Sequence, residues 1–363
     1  MTVGQMHDQR DGIYRLTPVA AVLTVLWITG CANIGPGTIA RDRFDYVSAI
    51  SESWKRQTLL NLVKMRYVDA PVFMDVAAVI NQYALESEIE SSFSWSNRGF
   101  VGGQGKFIDR PTITYNPVMG ERFARTFLRP IPIPAVMLLI QAGYPADYIF
   151  QLCIFAVNGL YNGRSGHINA QPADPDYFVL VDALYRLQKQ RAFTVRTRLN
   201  EDKQQLLFVF NPLKNRKAAA DQERVKQLLG LNKEASEFPI VHGTFAQNDG
   251  EVAIFTRSLY LVMHELAACI SVPEPDVADG RVYKVAPRQV ETQDRMQPCL
   301  WVQSTKTKPE SAFVDVGYRD RWFWIDDCDL HTKEMFNFLL LLFSFAENGE
   351  TGPSAPILTI PTN

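Results

Sequence analysis

The chain has 363 residues, of which 47% are apolar and 21% charged, and its formal net charge is −2. This apolar fraction excludes a disordered chain, and the near-neutral charge excludes a strongly basic nucleic-acid binder, so we expect no nucleic-acid partner. Its 5 cysteines are too few for a small scaffold held together by disulfides. The length predicts two domains or one large domain.

The first thirty residues have the pattern of a bacterial signal peptide. Arginines precede an uncharged, mostly apolar run at residues 16–29. A helix of this length spans about 21 Å, which is short of the roughly 30 Å hydrocarbon core of a bilayer. The following Ile28-Thr29-Gly30-Cys31 resembles the lipobox of bacterial lipoproteins. The resemblance implies cleavage between Gly30 and Cys31 and acylation of Cys31 with palmitate-type chains, which hold the mature protein to the membrane.

The residues after Cys31 indicate the compartment. In lipoproteins of enteric-type bacteria, an Asp at the next position favours retention in the inner membrane. Ala32 stands there in this chain, so we expect the outer membrane, with the protein facing the periplasm and the leaflet left open. Residues 31–42 are predicted to be a short tether, because Gly35-Pro36-Gly37 favours neither a helix nor a strand.

The first half of the mature chain is predicted to be mainly helical, with some strands. A helix over residues 45–67 is capped by Asp45 and stopped by Pro71. Strands are predicted within 72–96 and at 111–115, on either side of a flexible glycine-rich loop at 98–105. Further helices are predicted at 121–128, 134–142 and 146–160.

The second half alternates helices and strands without a strict βαβ order. Helices are predicted at 176–191, 218–229, 257–270 (capped by Thr256) and 330–346, and strands at 192–199, 204–210, 238–245, 300–304, 312–318, 321–325 and 357–360. The turn Arg319-Asp320 joins two of these strands in an antiparallel hairpin. The sequence therefore predicts an α+β fold with a C-terminal apolar helix. A polar stretch rich in Gly and Pro separates a mainly helical region (43–163) from an α+β region (172–363).

The densest polar cluster is Asp326-Asp327-Cys328-Asp329-Leu330-His331, directly before the last helix. Carboxylates, a thiol and an imidazole bind metal ions, so Asp326, Asp327 and His331 form the alternative for a catalytic or ligand site. Acidic residues at a helix start also accept hydrogen bonds from its free N–H groups and oppose its dipole. We favour this capping role and predict neither a metal ion nor a cofactor.

Cysteines and histidines give no catalytic pattern. The four cysteines from Cys153 onward allow three pairings, and Cys299 and Cys328 are a candidate disulfide because they flank neighbouring strands. Cys153 and Cys269 are predicted to be buried as small apolar residues within helices. His264 lacks the second histidine, one helical turn away, that a zinc protease requires.

The strand predicted at 321–325 carries large side chains on both faces. Trp322 and Trp324 share one face, and Phe323 and Ile325 share the other. One face belongs to the core. The other is either covered by a helix, which we favour, or is a binding surface.

Several segments resemble a family of uncharacterised proteobacterial lipoproteins: Asp42-Arg43-Phe44-Asp45-Tyr46, Arg321-Trp322-Phe323-Trp324-Ile325-Asp326-Asp327 and Ile357-Leu358-Thr359-Ile360-Pro361. The resemblance covers most of the mature chain and implies a lipid-anchored envelope protein, without an activity or a substrate. We therefore expect a non-enzymatic structural or interaction component in contact with the membrane and with other envelope proteins. The alternative is a periplasmic enzyme or a small-ligand-binding lipoprotein.

Overall fold

The computed structural model describes residues 39–80, 83–92, 100–109, 112–165, 170–200, 203–212, 216–284 and 299–347. The chain forms two compact units, residues 1–55 and 56–363. The predicted signal peptide, Cys31 and the predicted strand at 357–360 lie outside the described residues. Among the residues that are described, no helix combines the length and the hydropathy that a membrane span requires.

Helix α1 (Ile39–Arg66) begins before the predicted start at Asp45, so the last residues of the predicted tether are helical. The described part of the first unit is the beginning of this helix. In the second unit, Leu59, Leu62 and Val63 are fully buried. Their spacing of three and four residues places them on one face of the helix, which explains why this part of α1 joins the core.

Two antiparallel two-stranded sheets follow α1. Strand β1 (Met74–Ile80) pairs with β4 (Thr112–Pro117), and β2 (Tyr83–Ser92) pairs with β3 (Phe100–Asp109). The predicted flexible loop at 98–105 is wrong over the residues that form β3. Backbone hydrogen bonds to β2 supply the pairing that a glycine-rich strand needs, and those bonds do not depend on side-chain packing.

Short helices come next. They are α2 (Gly120–Phe123), continued by a π-helical turn at Ala124–Leu128, then α3 (Ile133–Gln141) and α4 (Ala146–Cys153). The helix predicted over 146–160 is wrong in its second half, where β5 (Ile154–Val157) and β6 (Leu160–Tyr161) form. Ile154, Ala156 and Val157 are buried. A short apolar run of this kind suits a buried helix and a buried strand equally well.

The second unit contains a six-stranded sheet. Its remaining strands are β7 (Phe193–Asn200), β8 (Lys203–Phe210), β9 (Glu237–His242) and β10 (Val252–Thr256), and the strand order is β6-β5-β10-β9-β8-β7. Strands β9 and β10 run parallel, and the other neighbours are antiparallel. The sheet takes strands from both sides of the boundary predicted between residues 163 and 172. The two predicted regions therefore share one sheet.

Further helices lie between and after these strands along the chain. They are α5 (Pro175–Lys189), α6 (Arg216–Leu228), α7 (Leu259–Ala267) and α8 (Glu274–Ala278). Helix α7 is capped by Ser258, whose Oγ accepts a hydrogen bond from the Leu261 N–H at 3.3 Å. The predicted cap, Thr256, is wrong, because its hydroxyl donates to the Ile131 carbonyl oxygen at 2.6 Å.

A three-stranded sheet and a helix complete the described chain. Strands β11 (Gln303–Thr305), β12 (Val314–Tyr318) and β13 (Arg321–Ile325) have the order β11-β13-β12, and α9 spans Leu330–Glu347. The predicted hairpin is confirmed by the pairing of Tyr318 with Arg321. The α+β fold class and the C-terminal helix are also confirmed.

Candidate functional site

The carboxylates of the predicted site, Asp326 and Asp327, make separate local contacts before α9. The Asp326 Oδ1 accepts a hydrogen bond from the Cys328 N–H at 2.8 Å, within its own turn. The Asp327 Oδ1 lies 2.8 Å from the Lys333 Nζ, and its side chain is 57% exposed. Neither contact is typical of a catalytic carboxylate, because the first closes a turn and the second is an exposed ion pair.

Asp329 is the residue that caps α9. Its Oδ1 accepts from the Thr332 N–H at 3.0 Å, and its Oδ2 accepts from the Thr332 hydroxyl at 2.6 Å. Burial favours the neutral acid, but these hydrogen bonds outweigh burial and lower the pKa of Asp329. The Thr332 Oγ1 also accepts from the Trp301 N–H at 3.2 Å. The cap therefore connects the helix start to the segment that leads into β11.

His331, the third residue of the predicted site, is buried against helix α4. Its Nδ1 lies 3.5 Å from the Tyr148 hydroxyl, and the two rings meet edge to face at 6.0 Å. Asp326, Asp327 and His331 thus contact a turn, a lysine and a tyrosine of another helix. This arrangement favours capping and packing over catalysis. Within the described ranges, no cluster of His, Cys, Asp and Glu side chains could hold a metal ion.

The predicted disulfide between Cys299 and Cys328 is wrong, because Cys299 is bonded to Cys269, with the Cα atoms 5.7 Å apart. The prediction of Cys269 as a buried apolar residue within a helix is also wrong, because this half-buried cysteine is bonded and lies just after the C-cap of α7. There the Ser271 N–H donates to the Val302 carbonyl oxygen at 3.2 Å. This bond places the segment containing Cys299 alongside the end of α7. Cys328 is an exposed free thiol in the turn before α9.

Cys153 is buried, as predicted. Complete burial raises the pKa of its thiol to about 12, with a smaller opposing effect of Arg257. A thiol with so high a pKa is a poor nucleophile at neutral pH.

The sequence interpretation missed a buried arginine. Arg257, between β10 and α7, is 1% exposed. Its Nη1 donates to the Gln151 carbonyl oxygen at 2.7 Å, and its Nη2 donates to the carbonyl oxygens of Asn162 (3.0 Å) and Gly163. Glu265 Oε1 lies 3.8 Å from Nη2. A guanidinium that binds several carbonyl groups fixes the position of the loop after β6.

The remainder of this cluster also has a structural role. Glu265 Oε1 accepts from the Ser165 N–H at 3.0 Å, and the Asn162 amide donates to the Ile154 carbonyl oxygen at 2.8 Å. The signal that was available in the sequence is a single arginine within the apolar run at 252–263. A charge in such a run is buried and requires partners.

A second polar cluster joins the end of α1 to α8 and to the β12–β13 hairpin. The Tyr67 hydroxyl donates to the Asp276 Oδ2 at 2.6 Å, and burial together with this bond raises the pKa of Tyr67. The Tyr318 hydroxyl donates to the Asp69 Oδ2 at 3.1 Å. The Arg319 guanidinium lies 5.1 Å from the Tyr67 ring and 5.6 Å from the Tyr318 ring. These contacts position the hairpin.

In comparisons with protein-family models, curated proteins and solved structures, no match to this chain was found. The resemblance to a lipoprotein family therefore stays a prediction. The function has to be argued from the residues of the chain itself.

Proposed function

We propose that the protein is a lipoprotein of the bacterial cell envelope, acylated on Cys31, that acts as a structural or interaction component. The observation that carries this proposal is the lipobox-like Ile28-Thr29-Gly30-Cys31, directly after an uncharged apolar run. Small residues before the cysteine leave room for a signal peptidase at the bond to be cut. Several acyl chains on one cysteine make a durable anchor, since each buried CH₂ contributes about 0.8 kcal/mol.

The Cys269–Cys299 disulfide supports a location outside the cytoplasm. Disulfides persist in oxidising compartments such as the periplasm and are rare in the bacterial cytosol, where thiols are kept reduced. Ala32 favours the outer membrane over the inner membrane, as argued from its position next to Cys31.

The contacts before α9 favour an interaction component over an enzyme. Asp326 closes a turn, Asp327 pairs with Lys333, and His331 packs against Tyr148. The alternative, an enzyme or small-ligand-binding lipoprotein with its site at these residues, requires them to converge on one ligand. Their separate partners weigh against it.

Replacement of the proposed acylation site is the direct test. In a bacterial host, the chain with Cys31→Ala is expected to remain an unprocessed precursor and to incorporate no labelled palmitate. Cys328→Ala is the matched control, because it removes an exposed free thiol and should leave labelling unchanged. Mature-sized, labelled Cys31→Ala protein in the membrane fraction would contradict the proposal.

Crosslinking in intact cells tests the interaction role. A tagged, lipidated copy is expected to retain a stoichiometric envelope partner, and the Cys31→Ala form is expected to lose it. If the lipidated protein retains no partner above background, the interaction role is rejected and the alternative near Asp326 and His331 gains support.

A further inference from the structure

The three-stranded sheet has one face in the core and one face that carries tryptophans. Phe323 and Ile325 are fully buried, whereas Trp322 and Trp324 point to the opposite side and are half-buried. Residues that pair directly across antiparallel strands share a face. Pairing therefore defines the tryptophan face as Gln303, Thr305, Asp315, Gly317, Trp322 and Trp324.

The ring of Trp322 has little cover from its neighbours in the sheet. Gly317, its partner on β12, has no side chain, and a Cβ added there would lie 4.0 Å from the Trp322 Cη2. Thr305, its partner on β11, is small. The Lys308 Nζ lies 5.1 Å from the ring centroid, but this side chain is 54% exposed and lies on the surface. Part of the half-buried Trp322 ring is therefore accessible beside Gly317.

Polar groups surround this aromatic surface. Asp315 pairs with Trp324 across the strands, and its carboxylate lies 3.7 Å from the Lys308 Nζ and 4.0 Å from an Arg56 Nη. Gln303, on the other side of Trp324, is exposed. The Trp324 Nε1 donor is shielded from solvent and has no hydrogen-bond partner among the described residues.

We propose that the tryptophan face binds a glycan, with a pyranose ring stacked on Trp322 and its hydroxyl groups hydrogen-bonded to Asp315, Gln303 and Lys308. A sugar ring has an apolar C–H face and a polar edge, which match an indole surrounded by a carboxylate, an amide and an ammonium group. A protein partner fits less well, because charged residues are depleted at the centre of protein interfaces. The proposal is independent of the lipid anchor.

The full chain, purified in a detergent without a sugar headgroup, can be titrated calorimetrically with chitotetraose and with maltotetraose. Saturable binding of one of these tetrasaccharides is expected. Trp322→Ala is expected to weaken that binding roughly tenfold or more, as for a central aromatic contact. Phe245→Ala is the control, because it removes an exposed aromatic side chain between β9 and β10 and should leave the affinity unchanged.

The Gly317→Thr variant distinguishes loss of the binding site from loss of the fold. Thr is favoured in strands, so the melting temperature is expected to be unchanged or higher, while the added side chain covers Trp322 and abolishes binding. Three results would each overturn the proposal. The first is a wild-type chain that binds neither tetrasaccharide, and the second is a Gly317→Thr chain that binds as well as the wild type. The third is a mass measurement in which Gly317→Thr separates a dimer into monomers, because that result assigns the face to a second copy.

Discussion

Arg257 shows how a single buried charge organises the chain around it. Its guanidinium contacts carbonyl groups at the end of α4 and in the loop after β6, and it lies beside the carboxylate of Glu265. Carbonyl groups in the interior require donors, because water is excluded there. One side chain supplies those donors to segments that are distant in sequence. The position of Arg257 is therefore a structural requirement of this loop.

Arg257→Met is expected to lower the free energy of unfolding by about 3–5 kcal/mol, because it removes hydrogen-bond donors from buried carbonyl groups and removes the cation beside Glu265. Urea denaturation at neutral pH measures the change. Arg224→Met is the control, since Arg224 is 42% exposed and lies 3.7 Å from Asp176. That substitution should cost less than about 1 kcal/mol. An Arg257→Met loss below about 1 kcal/mol, like that expected of the control, would mean that the cluster around Arg257 contributes no more than an exposed ion pair.

At the scale of single residues, the sequence predicts a residue's role well only when its partners are nearby in the sequence. The acids before α9 were interpreted as caps because an apolar helix follows them, and Asp329 does cap it. Asp326 and Asp327 also contact residues within a few positions. The partners of Arg257 and of Cys299 come from other elements, and no local pattern identifies them.

At the scale of elements, the start of α9 joins helix capping to tertiary structure. Asp329 binds both the N–H and the hydroxyl of Thr332, and Thr332 in turn accepts from the Trp301 N–H. Thr332 is fully buried. A change at the cap therefore affects the helix and also the segment before β11.

Asp329→Ala is expected to lower the free energy of unfolding by about 1–2 kcal/mol at neutral pH, as for the loss of a helix cap. The pKa of Asp329 is lowered in the folded state, so its contribution is present above the ordinary pKa of 3.8 and is lost as the pH falls through the folded value. The difference between wild type and variant, followed by denaturant titration, should therefore shrink below that pH. Asp327→Ala, which removes an exposed ion pair, should cost less than about 1 kcal/mol. A difference for Asp329→Ala that persists in acid would contradict the assignment of the cap.

Elements with clear boundaries could be predicted from the sequence, and the others could not. Helix α5 has apolar periodicity and a proline in its first turn, and the β7–β8 hairpin has a polar turn between its two strands. The run at 154–157 has no such boundary, and β10 was missed. The first part of β3 was assigned to a loop because it is rich in glycine, which has no side chain to pack. Its pairing with β2 uses backbone hydrogen bonds instead.

At the scale of the whole molecule, the Cys269–Cys299 bond closes a long segment of the chain. The two cysteines are separated by 30 positions. Such a crosslink restricts the unfolded chain more than the folded one. It also holds the end of α7 next to the segment that leads into the three-stranded sheet, where the Ser271 N–H donates to the Val302 carbonyl oxygen.

Cys299→Ser is expected to reduce stability by about 2–4 kcal/mol under oxidising conditions. With a strong reductant the difference from wild type should largely disappear, because both chains then lack the bond. Thermal melting with and without reductant measures the effect. Cys328→Ser, which removes an exposed thiol, should melt like wild type in both conditions. A loss of the same size with reductant present would assign the effect of Cys299→Ser to packing.

Strand order determines when this chain can complete its fold during synthesis. β5 pairs with β6 on one side, but its neighbour on the other side is β10, where Val157 pairs with Ile254. A chain that grows from its N-terminus therefore waits for nearly a hundred further residues before β5 acquires this partner, and such non-local pairings slow folding. During that interval the unpaired edge of β5 is open to other chains. A chaperone that covers residues 154–161 until β10 has been made would protect this edge from pairing with other chains.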